Sequence, residues 1–372
     1  APAPRASILA PPTASALEPA RVAGHAPFAP WWIASYSALR LETGGAADPR
    51  PEGVAAIPTP GMAADTAAQE TALEEAGLPT PLASLLATPP PVPPAAATPP
   101  AGPSLHDLPR GSRYGTFLHG LLEWAAVAEA PADDGSRRRG YAAAASAARP
   151  RRDLLTRRCT LRGLHEWIAP LDAWLAQFLT REWRLAGLVD AAGQVPRLRL
   201  HDLAPHQVQV ELEFWLESRA VPTLTLDRLV QRHCLPGAPR PALRADALNG
   251  MLKGFIDLVF AHGGRYYVLD WKSNWLGPDD GAYTPEALNA AMLAHRYDLQ
   301  YSLYLLALHR QLAARLPGYD YDRDIGGAVY VFLRGSAAPS QGLFTAKPPR
   351  ALIAGLDRLF AGQPLSAHPE TP

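Results

Sequence analysis

GFIDLVFAHGGRYYVLDWKSN, the run from Gly254 to Asn274, predicts the centre of a β-sheet. Its two apolar segments, IDLVF and YYVLDW, have the length and residue content of short β-strands. The intervening AHGG contains the glycines that a tight hairpin turn favours, because the central positions of such a turn take positive φ. We therefore predict a β-hairpin with one aspartate on each strand, Asp257 on the first and Asp270 on the second.

Both aspartates are flanked by apolar strand residues, which predicts that their carboxylates are buried. A carboxylate withdrawn from water needs a neutralising cation or hydrogen bonds. Lys272 follows Asp270 by two residues, so the strand pleat points both side chains to one face. Two acids and a lysine that converge predict a divalent-metal site with an ammonium as general base or charge stabiliser. The alternatives are that Asp257 caps a turn and that Asp270 pairs with Arg265 at the surface.

The use of lysine supports this interpretation. Only three of the 35 basic residues are lysines, at positions 253, 272 and 347. Lysine presents a compact ammonium whose pKa responds to burial, which arginine does not. A lysine retained between Trp271 and Ser273 therefore indicates a chemical requirement, with chance placement as the alternative.

Composition limits the class of protein. The chain has 372 residues, 48% of them hydrophobic, and a formal net charge of zero, so no overall basic balance argues for nucleic acid. The two cysteines form no CxxC pair and no disulfide framework, which is typical of a reducing cytosol. No run approaches the length of a membrane span. We expect a cytoplasmic protein without a membrane segment.

Proline divides the chain into two parts. More than half of the 40 prolines lie at or before Pro109. Residues 1–105 are rich in proline and alanine and lack apolar periodicity, which predicts a largely disordered linker. An aromatic island at residues 27–42 interrupts it and is expected to dock as a strand or short helix. Residues 106–372 form the predicted folded domain.

The folded domain is predicted to be α/β, with a mixed central sheet flanked by helices. A helix is expected from Gly115 to Ala130 and one long helix from Pro285 to Leu316. A strand is expected to begin near His206, and a final apolar strand covers Gly326 to Gly335. The arginine-rich stretch from Ser136 to Asp153 is either a mobile loop or part of a basic wall.

Four further residues are candidates for function. His119 and Glu123 are four apart on the first helix and share a face, so either could contribute to a metal site. An ordinary core or surface role is the alternative for both. Gln300 and Tyr304 also share a helix face, and a glutamine within an apolar run needs hydrogen-bond partners that a phosphate or base edge would supply.

Several chemistries are excluded by motif. None of the lysines follows a glycine, so there is no phosphate-binding loop of the G-x-x-x-x-G-K-[ST] type, and no dinucleotide-binding G-x-G-x-x-G stands in the right context. Serine-hydrolase and zinc patterns are also absent. Nucleotide hydrolysis by this chain is therefore not expected.

Together the motifs resemble the PD-(D/E)xK nuclease superfamily, and more closely the C-terminal nuclease domain of the RecB family, the helicase-nuclease subunit of bacterial exonuclease V. Tryptophan replaces the tyrosine common in the second acidic motif. The strings that carry the resemblance are GTFLHGLLEW, GFIDLVF, LDWKSNWLG, YDLQYSLYLLALHRQL and YDYDRDIGGAVYVFLRG.

The resemblance implies a restriction-endonuclease-like core and assigns roles to individual residues. One or two Mg²⁺ ions would be the cofactor. The implied roles are metal binding for His119, Asp257 and Asp270, catalysis for Asp257, Asp270 and Lys272, and DNA contact for Gln300 and Tyr304.

The resemblance also implies an activity and partners. The activity would be that of exodeoxyribonuclease V, a magnesium-dependent hydrolysis of DNA phosphodiester bonds that processes double-strand breaks for recombinational repair. The partners would be DNA, RecC, RecD and the RecB helicase portion, whose end the string WWIASYSALR resembles. The alternatives are a non-catalytic module that binds DNA or a partner, and a standalone Cas4-like nuclease.

Overall fold

The computed structural model describes residues 32–35, 39, 104–132 and 135–365. The rest of the predicted linker and of the aromatic island lies outside the described residues. Within the island, Trp32–Ser35 form a strand, so of the two forms predicted for it the strand is the one observed. The division of the chain into a linker at 1–105 and a domain at 106–372 remains a proposal.

The described residues contain a six-stranded mixed sheet and two small two-stranded sheets. The strands are β1 (Trp32–Ser35), β2 (Glu129–Pro131), β3 (Arg137–Arg139), β4 (Trp183–Arg184), β5 (Arg197–Leu198), β6 (Val208–Pro222), β7 (Ala247–His262), β8 (Arg265–Lys272), β9 (Ile325–Phe332) and β10 (Leu343–Ala346).

Helices cover both faces of the six-stranded sheet. They are α1 (Ser112–Val127), α2 (Tyr141–Ser146), α3 (Ala148–Thr160), α4 (Ile168–Thr180), α5 (Thr223–His233), α6 (Pro285–Ala294), α7 (Tyr297–Arg315), α8 (Tyr321–Asp324) and α9 (Arg350–Phe360).

The order of the large sheet is β1-β7-β8-β9-β10, and β6 pairs with β7. Residues 250–253 of β7 pair with both β1 and β6, and residues 258–260 pair with both β8 and β6. Strands β1 and β8 therefore follow one another along one edge of β7, and β6 covers the other edge. The β1–β7 and β8–β9 pairs are parallel, whereas the others are antiparallel.

The predicted hairpin is the β7–β8 pair. Its ladder runs from Leu258↔Leu269 to His262↔Arg265. Gly263 and Gly264 form the turn with φ of 56° and 73°, conformations that glycine adopts without steric penalty. The apolar period and the glycines of this run thus predicted the local fold correctly.

Two hydrophobic cores hold the helices against the sheet. One face packs α5, α6, α7 and α9 around residues such as Leu299, Leu303 and Ile353. The opposite face packs α1 to α4 around residues such as Leu118 and Leu171. Burial of apolar surface on both faces makes the sheet the middle layer, which confirms the predicted α/β architecture.

Three sequence-based boundaries differ from the structure. The helix expected from Pro285 to Leu316 is two helices, because Arg296 has a left-handed backbone with φ of 57° and ends the first one. The strand expected to be final is followed by β10, which pairs with β9. The first helix begins at Ser112, earlier than predicted, after Gly111. No helix in the described ranges has the length and apolarity to cross a bilayer.

Candidate active site

The candidate site lies where β7 and β8 separate. Their backbone pairing ends at Leu258↔Leu269. At the next residue of β7, the side chain of Asp257 takes the place of a backbone acceptor. Its Oδ2 accepts a hydrogen bond of 2.8 Å from the backbone N–H of Trp271. Beyond Leu258↔Leu269 the two strands are no longer paired with each other, and we call this place, with Asp257 at its edge, the gap.

Asp270 and Lys272 occupy the end of β8 and face the same gap. Both are nearly inaccessible to solvent, with 3% and 1% of their surface exposed, and Lys272 Nζ lies 2.7 Å from Asp270 Oδ2. The predicted alternative, a surface pair of Asp270 with Arg265, is not observed. The Arg265 guanidinium instead donates to the backbone carbonyls of Asp322 and Ile325.

Two tyrosine rings surround the Lys272 ammonium. Nζ lies 4.0 Å from the ring centroid of Tyr297 at the start of α7 and 5.5 Å from that of Tyr330 on β9. Cation–π contact with these rings stabilises the charged ammonium where water is excluded. The lysine is therefore held at one point by a carboxylate and two aromatic faces.

His119 reaches the gap from α1. Its Nδ1 lies 3.7 Å from Asp257 Oδ2, and its Nε2 is buried without a hydrogen-bond partner among the described residues. Burial lowers the pKa of His119 to about 4, an effect that Asp270 opposes and Lys272 reinforces. The imidazole is therefore neutral near pH 7, the form in which histidine binds a metal.

The acids of the site repel one another. Burial raises the pKa of Asp257 well above its ordinary value, and the negative charges of Asp270 and Glu211 add to this effect. The Trp271 N–H and the Lys272 ammonium oppose the shift. A bound cation would relieve the repulsion and favour the ionised carboxylates.

Glu211 is the acid that sequence reasoning missed. It lies on β6 between the Val210↔Leu258 and Leu212↔Ile256 pairs, opposite Asp257, and has a left-handed backbone with φ of 47°. Desolvation, followed by the charges of Glu123 and Asp270, raises the pKa of Glu211 even though the residue as a whole is exposed. In the alternating string VELEF it looked like any solvent-facing glutamate, because only the strand register places it near Asp257.

The donor set fits Mg²⁺. His119 Nε2 has no hydrogen-bond partner within the described residues, and Asp270 Oδ2 contacts the Lys272 ammonium at 2.7 Å, which leaves its other lone pairs for a ligand. Mg²⁺ takes one or two carboxylates and keeps several waters. Within the described residues, no group of three or more histidine, cysteine, aspartate or glutamate side chains is arranged closely enough to hold a metal ion without movement. Asp257, Asp270 and His119 are the side chains that would hold the ion.

Gln300 and Tyr304 lie beside the site but bind each other. Gln300 Nε2 donates to the Tyr304 hydroxyl at 2.9 Å, and the Tyr330 hydroxyl donates to Gln300 Oε1 at 2.9 Å. Both predicted residues are buried, with 2% and 3% of their surface exposed. Protein hydroxyls thus supply the hydrogen bonds that the glutamine needs, and contact of this pair with DNA stays a prediction.

Two further features lie around the candidate site: Glu123 on α1 and the break between α6 and α7. Glu123 is exposed on α1, and its charge acts on Glu211. At the break, Arg296 donates to Asp227 and Asp298 at 2.6 and 3.1 Å. This buried ion network fixes the start of α7 and hence the position of Tyr297 over Lys272.

His295, which precedes this break, also lies near the site. Its Nε2 lies 3.3 Å from Asn274 Nδ2, and its ring stacks on Tyr297 with centroids 5.2 Å apart. Burial and then the positive charge of Lys272 lower the pKa of His295 to about 4. The neutral imidazole can accept from the Asn274 amide, whereas the protonated ring can only donate.

This shift predicts a pH dependence of stability. Because the folded-state pKa is about 4 and the unfolded value is 6.5, the unfolded chain binds the proton more tightly. The contribution of His295 is complete above pH 6.5 and is lost as the pH falls towards 4, by at most about 3 kcal/mol. His295→Gln should lose correspondingly less unfolding free energy between pH 7 and pH 4.5, measured by urea denaturation in EDTA. An equal loss in both proteins would contradict this prediction.

Comparison with known proteins agrees with this geometry. Residues 98–363 match the family model of the PD-(D/E)XK nuclease superfamily. The RecBCD enzyme subunit RecB of Escherichia coli K12 is 40% identical over 264 residues, which are 70% of this chain and 20% of that protein. The RecB subunit of Haemophilus influenzae Rd is 42% identical over 167 residues, 44% of this chain and 14% of that protein.

A third relative gives the same result over a shorter segment. The RecBCD enzyme subunit RecB of Mycobacterium tuberculosis H37Rv is 41% identical over 122 residues, 30% of this chain and 11% of that protein. The chain thus spans a fifth or less of the length of these curated relatives. Since the family model covers most of the chain, the chain belongs to the PD-(D/E)XK nuclease superfamily, and its described domain is RecB-like.

Proposed function

We propose that the chain is a magnesium-dependent DNA nuclease of the exodeoxyribonuclease V type. The observation that carries the proposal is the gap between β7 and β8, where Asp257, Asp270 and Lys272 meet His119. The buried His119 Nε2 lacks a hydrogen-bond partner among the described residues, and Asp270 Oδ2 is paired with the Lys272 ammonium at 2.7 Å. A buried acceptor without a partner, such as Nε2, is costly unless a ligand completes it.

Each residue of the site would have a separate role in phosphodiester hydrolysis. Bound Mg²⁺ would lower the pKa of a water molecule and polarise the phosphoryl group. Asp257 and Asp270 would hold the ion, and the neutral His119 would contribute Nε2. The Lys272 ammonium, kept at one point by Asp270, Tyr297 and Tyr330, lies where it can stabilise negative charge that develops on the phosphate. The products would carry a 5′-phosphate and a 3′-hydroxyl.

The biological setting follows from the relatives. They are named as RecB subunits of the RecBCD enzyme. We propose that this domain acts on DNA in the processing of double-strand breaks for recombinational repair. Its partners would then be RecC, RecD and a RecB helicase portion, and the sequence at residues 1–105 would connect to that portion.

Metal binding can be tested without activity. Asp257→Asn should abolish the increase in melting temperature that Mg²⁺ gives to the wild-type chain, because it removes one of the two carboxylates at the site. Without metal the variant should be at least as stable as wild type, since the substitution removes acid–acid repulsion. Differential scanning fluorimetry over a Mg²⁺ titration measures both effects.

Asp153 provides the matched control. It is an exposed aspartate on α3, and Asp153→Asn should keep the full response to Mg²⁺. Equal Mg²⁺ stabilisation of Asp257→Asn and wild type would contradict the proposed site. A folded wild-type chain that binds DNA but neither binds Mg²⁺ nor cleaves would instead be a non-catalytic binding module.

A further inference from the structure

One arginine of α3 lies against the helix that carries His119. The guanidinium of Arg158 packs over Gly120, the residue after His119, so closely that a Cβ at Gly120 would be 3.0 Å from Nη1. Gly120 has no positive φ, so the backbone does not require glycine there. The space left by the missing side chain is occupied by the Arg158 guanidinium.

Glu123 is the acid whose charge acts on Arg158. Burial, followed by the charge of Arg162, lowers the pKa of Arg158, and Glu123 opposes this shift. After burial, Glu123 is also the largest cause that raises the pKa of Glu211. One glutamate of α1 is thus close to both the arginine and the acid that faces Asp257.

Arg158 differs from three other arginines on its helix in making no ion pair within the described residues, a property that it shares with the exposed Arg157. Arg151 and Arg152 bind Asp172 at 2.6 and 3.2 Å, and Arg149 lies 4.0 Å from Asp153. Arg158 makes no ion pair or side-chain hydrogen bond within the ranges that the structure describes, although it is partly buried. A partly desolvated guanidinium without an anion is suited to take one from a ligand.

Arg162 extends this basic edge. Its guanidinium lies 5.1 Å from the ring centroid of Phe117 on α1, and its Nη1 donates to the backbone carbonyl of Arg158 at 3.0 Å. Arg162 therefore holds the end of α3 against α1. The cationic edge formed by Arg158 and Arg162 borders Gly120 and Phe117 on α1, and Gly120 is the residue after His119.

We propose that Arg158 binds a backbone phosphate of the DNA strand that enters the site, and that Gly120 provides the space for its guanidinium. The inference rests on the proposed function. The acids Glu123, Glu211, Asp257 and Asp270 repel a nucleic-acid backbone, so a cation at the entrance is needed to offset them. A planar guanidinium can make two parallel hydrogen bonds to one phosphate.

Binding of a fluorescein-labelled oligothymidine strand, followed by anisotropy in EDTA, tests this proposal. Arg158→Gln should raise Kd about tenfold, the value of one charge-assisted hydrogen-bonded contact. It should also reduce the slope of log K against log salt by about 0.7, as expected for one phosphate contact to a single strand. Arg149→Gln removes the same charge from the far end of α3 and should change Kd less than about twofold.

The role of Gly120 is tested at constant net charge. Gly120→Leu keeps a good helix former on α1 but fills the space of the guanidinium. It should weaken binding in the wild-type background and have no further effect in Arg158→Gln, because both changes remove the same contact. Equal weakening in both backgrounds would overturn the role of Gly120.

Two other outcomes separate this inference from the proposed function. If the wild-type chain cleaves DNA with Mg²⁺ and Arg158→Gln binds like Arg149→Gln, Arg158 is not a phosphate ligand and the nuclease assignment stands. If the folded wild-type chain neither binds the strand nor cleaves it with Mg²⁺, both proposals fail.

Discussion

Lys272→Arg is expected to lose Mg²⁺-dependent DNA cleavage almost as completely as Lys272→Met, by about 10²- to 10³-fold, the usual cost of one charge-stabilising donor at a reaction centre. The ammonium fits between Asp270 Oδ2 at 2.7 Å and the Tyr297 ring centroid at 4.0 Å. A guanidinium is larger and planar, so it cannot place one compact charge at that point.

The measurement is the single-turnover rate on labelled single-stranded DNA at saturating Mg²⁺. Lys253→Arg is the matched control, because Lys253 lies on β7 within 3.4 Å of Glu213 and outside the site. It should cleave at the wild-type rate. Lys272→Met leaves Asp270 buried without its partner and should also unfold more easily, by about 3–5 kcal/mol without metal. A wild-type rate for Lys272→Arg would show that only positive charge matters.

Asp270→Asn is expected to reduce cleavage by at least about 10³-fold, which corresponds to about 4 kcal/mol of transition-state stabilisation. The amide keeps the shape of the side chain but removes the charge that would hold Mg²⁺ and orient Lys272. The substitution leaves the buried Lys272 ammonium without its counter-ion, so the domain should unfold more easily, by about 3–5 kcal/mol without metal, while the Tyr297 and Tyr330 rings still contact the ammonium.

Single-turnover cleavage with the same labelled strand measures this loss. Asp153→Asn, on the exposed side of α3, serves as the control and should retain the wild-type rate. Far-ultraviolet circular dichroism and a urea transition establish that Asp270→Asn is folded. Wild-type cleavage by the folded variant would remove Asp270 from the proposed metal site.

The sequence predicts the centre of the site because its signals are local. The period of two in β7 and β8, the glycines of the turn and the spacing of Asp270 and Lys272 all act within one hairpin. The helix period leaves an ordinary core or surface role open for His119, and the resemblance assigns it to the metal; the structure brings its Nδ1 3.7 Å from Asp257 Oδ2. The hairpin residues are proposed together from their spacing, whereas His119 joins them through the resemblance of its motif.

The remaining features depend on tertiary contacts. The break before α7 results from Arg296, whose left-handed backbone is held by Asp227 and Asp298 rather than by any helix-stop residue. Glu211 becomes a site residue only through the register of β6 with β7. β10 is a four-residue edge strand, too short for a periodic signal. Local patterns do not encode such long-range pairs.

The buried state of Gln300 shows the same limit. The sequence indicated that its amide needs partners, and a DNA group was one way to supply them. The structure supplies them from Tyr304 and from Tyr330, which is thirty positions away on β9. Which partner satisfies a buried amide is decided by packing, so DNA contact of this pair remains a prediction.

Cleavage of labelled single-stranded DNA by the purified wild-type chain, as Mg²⁺ is titrated and then removed with EDTA, tests the central claim most directly. We predict cleavage that rises with Mg²⁺, stops in EDTA and leaves 5′-phosphate ends. A folded chain that leaves the strand intact at saturating Mg²⁺, or that cuts it equally well in EDTA, would contradict the assignment of Asp257, Asp270, His119 and Lys272 to a metal-dependent DNA-cleaving site.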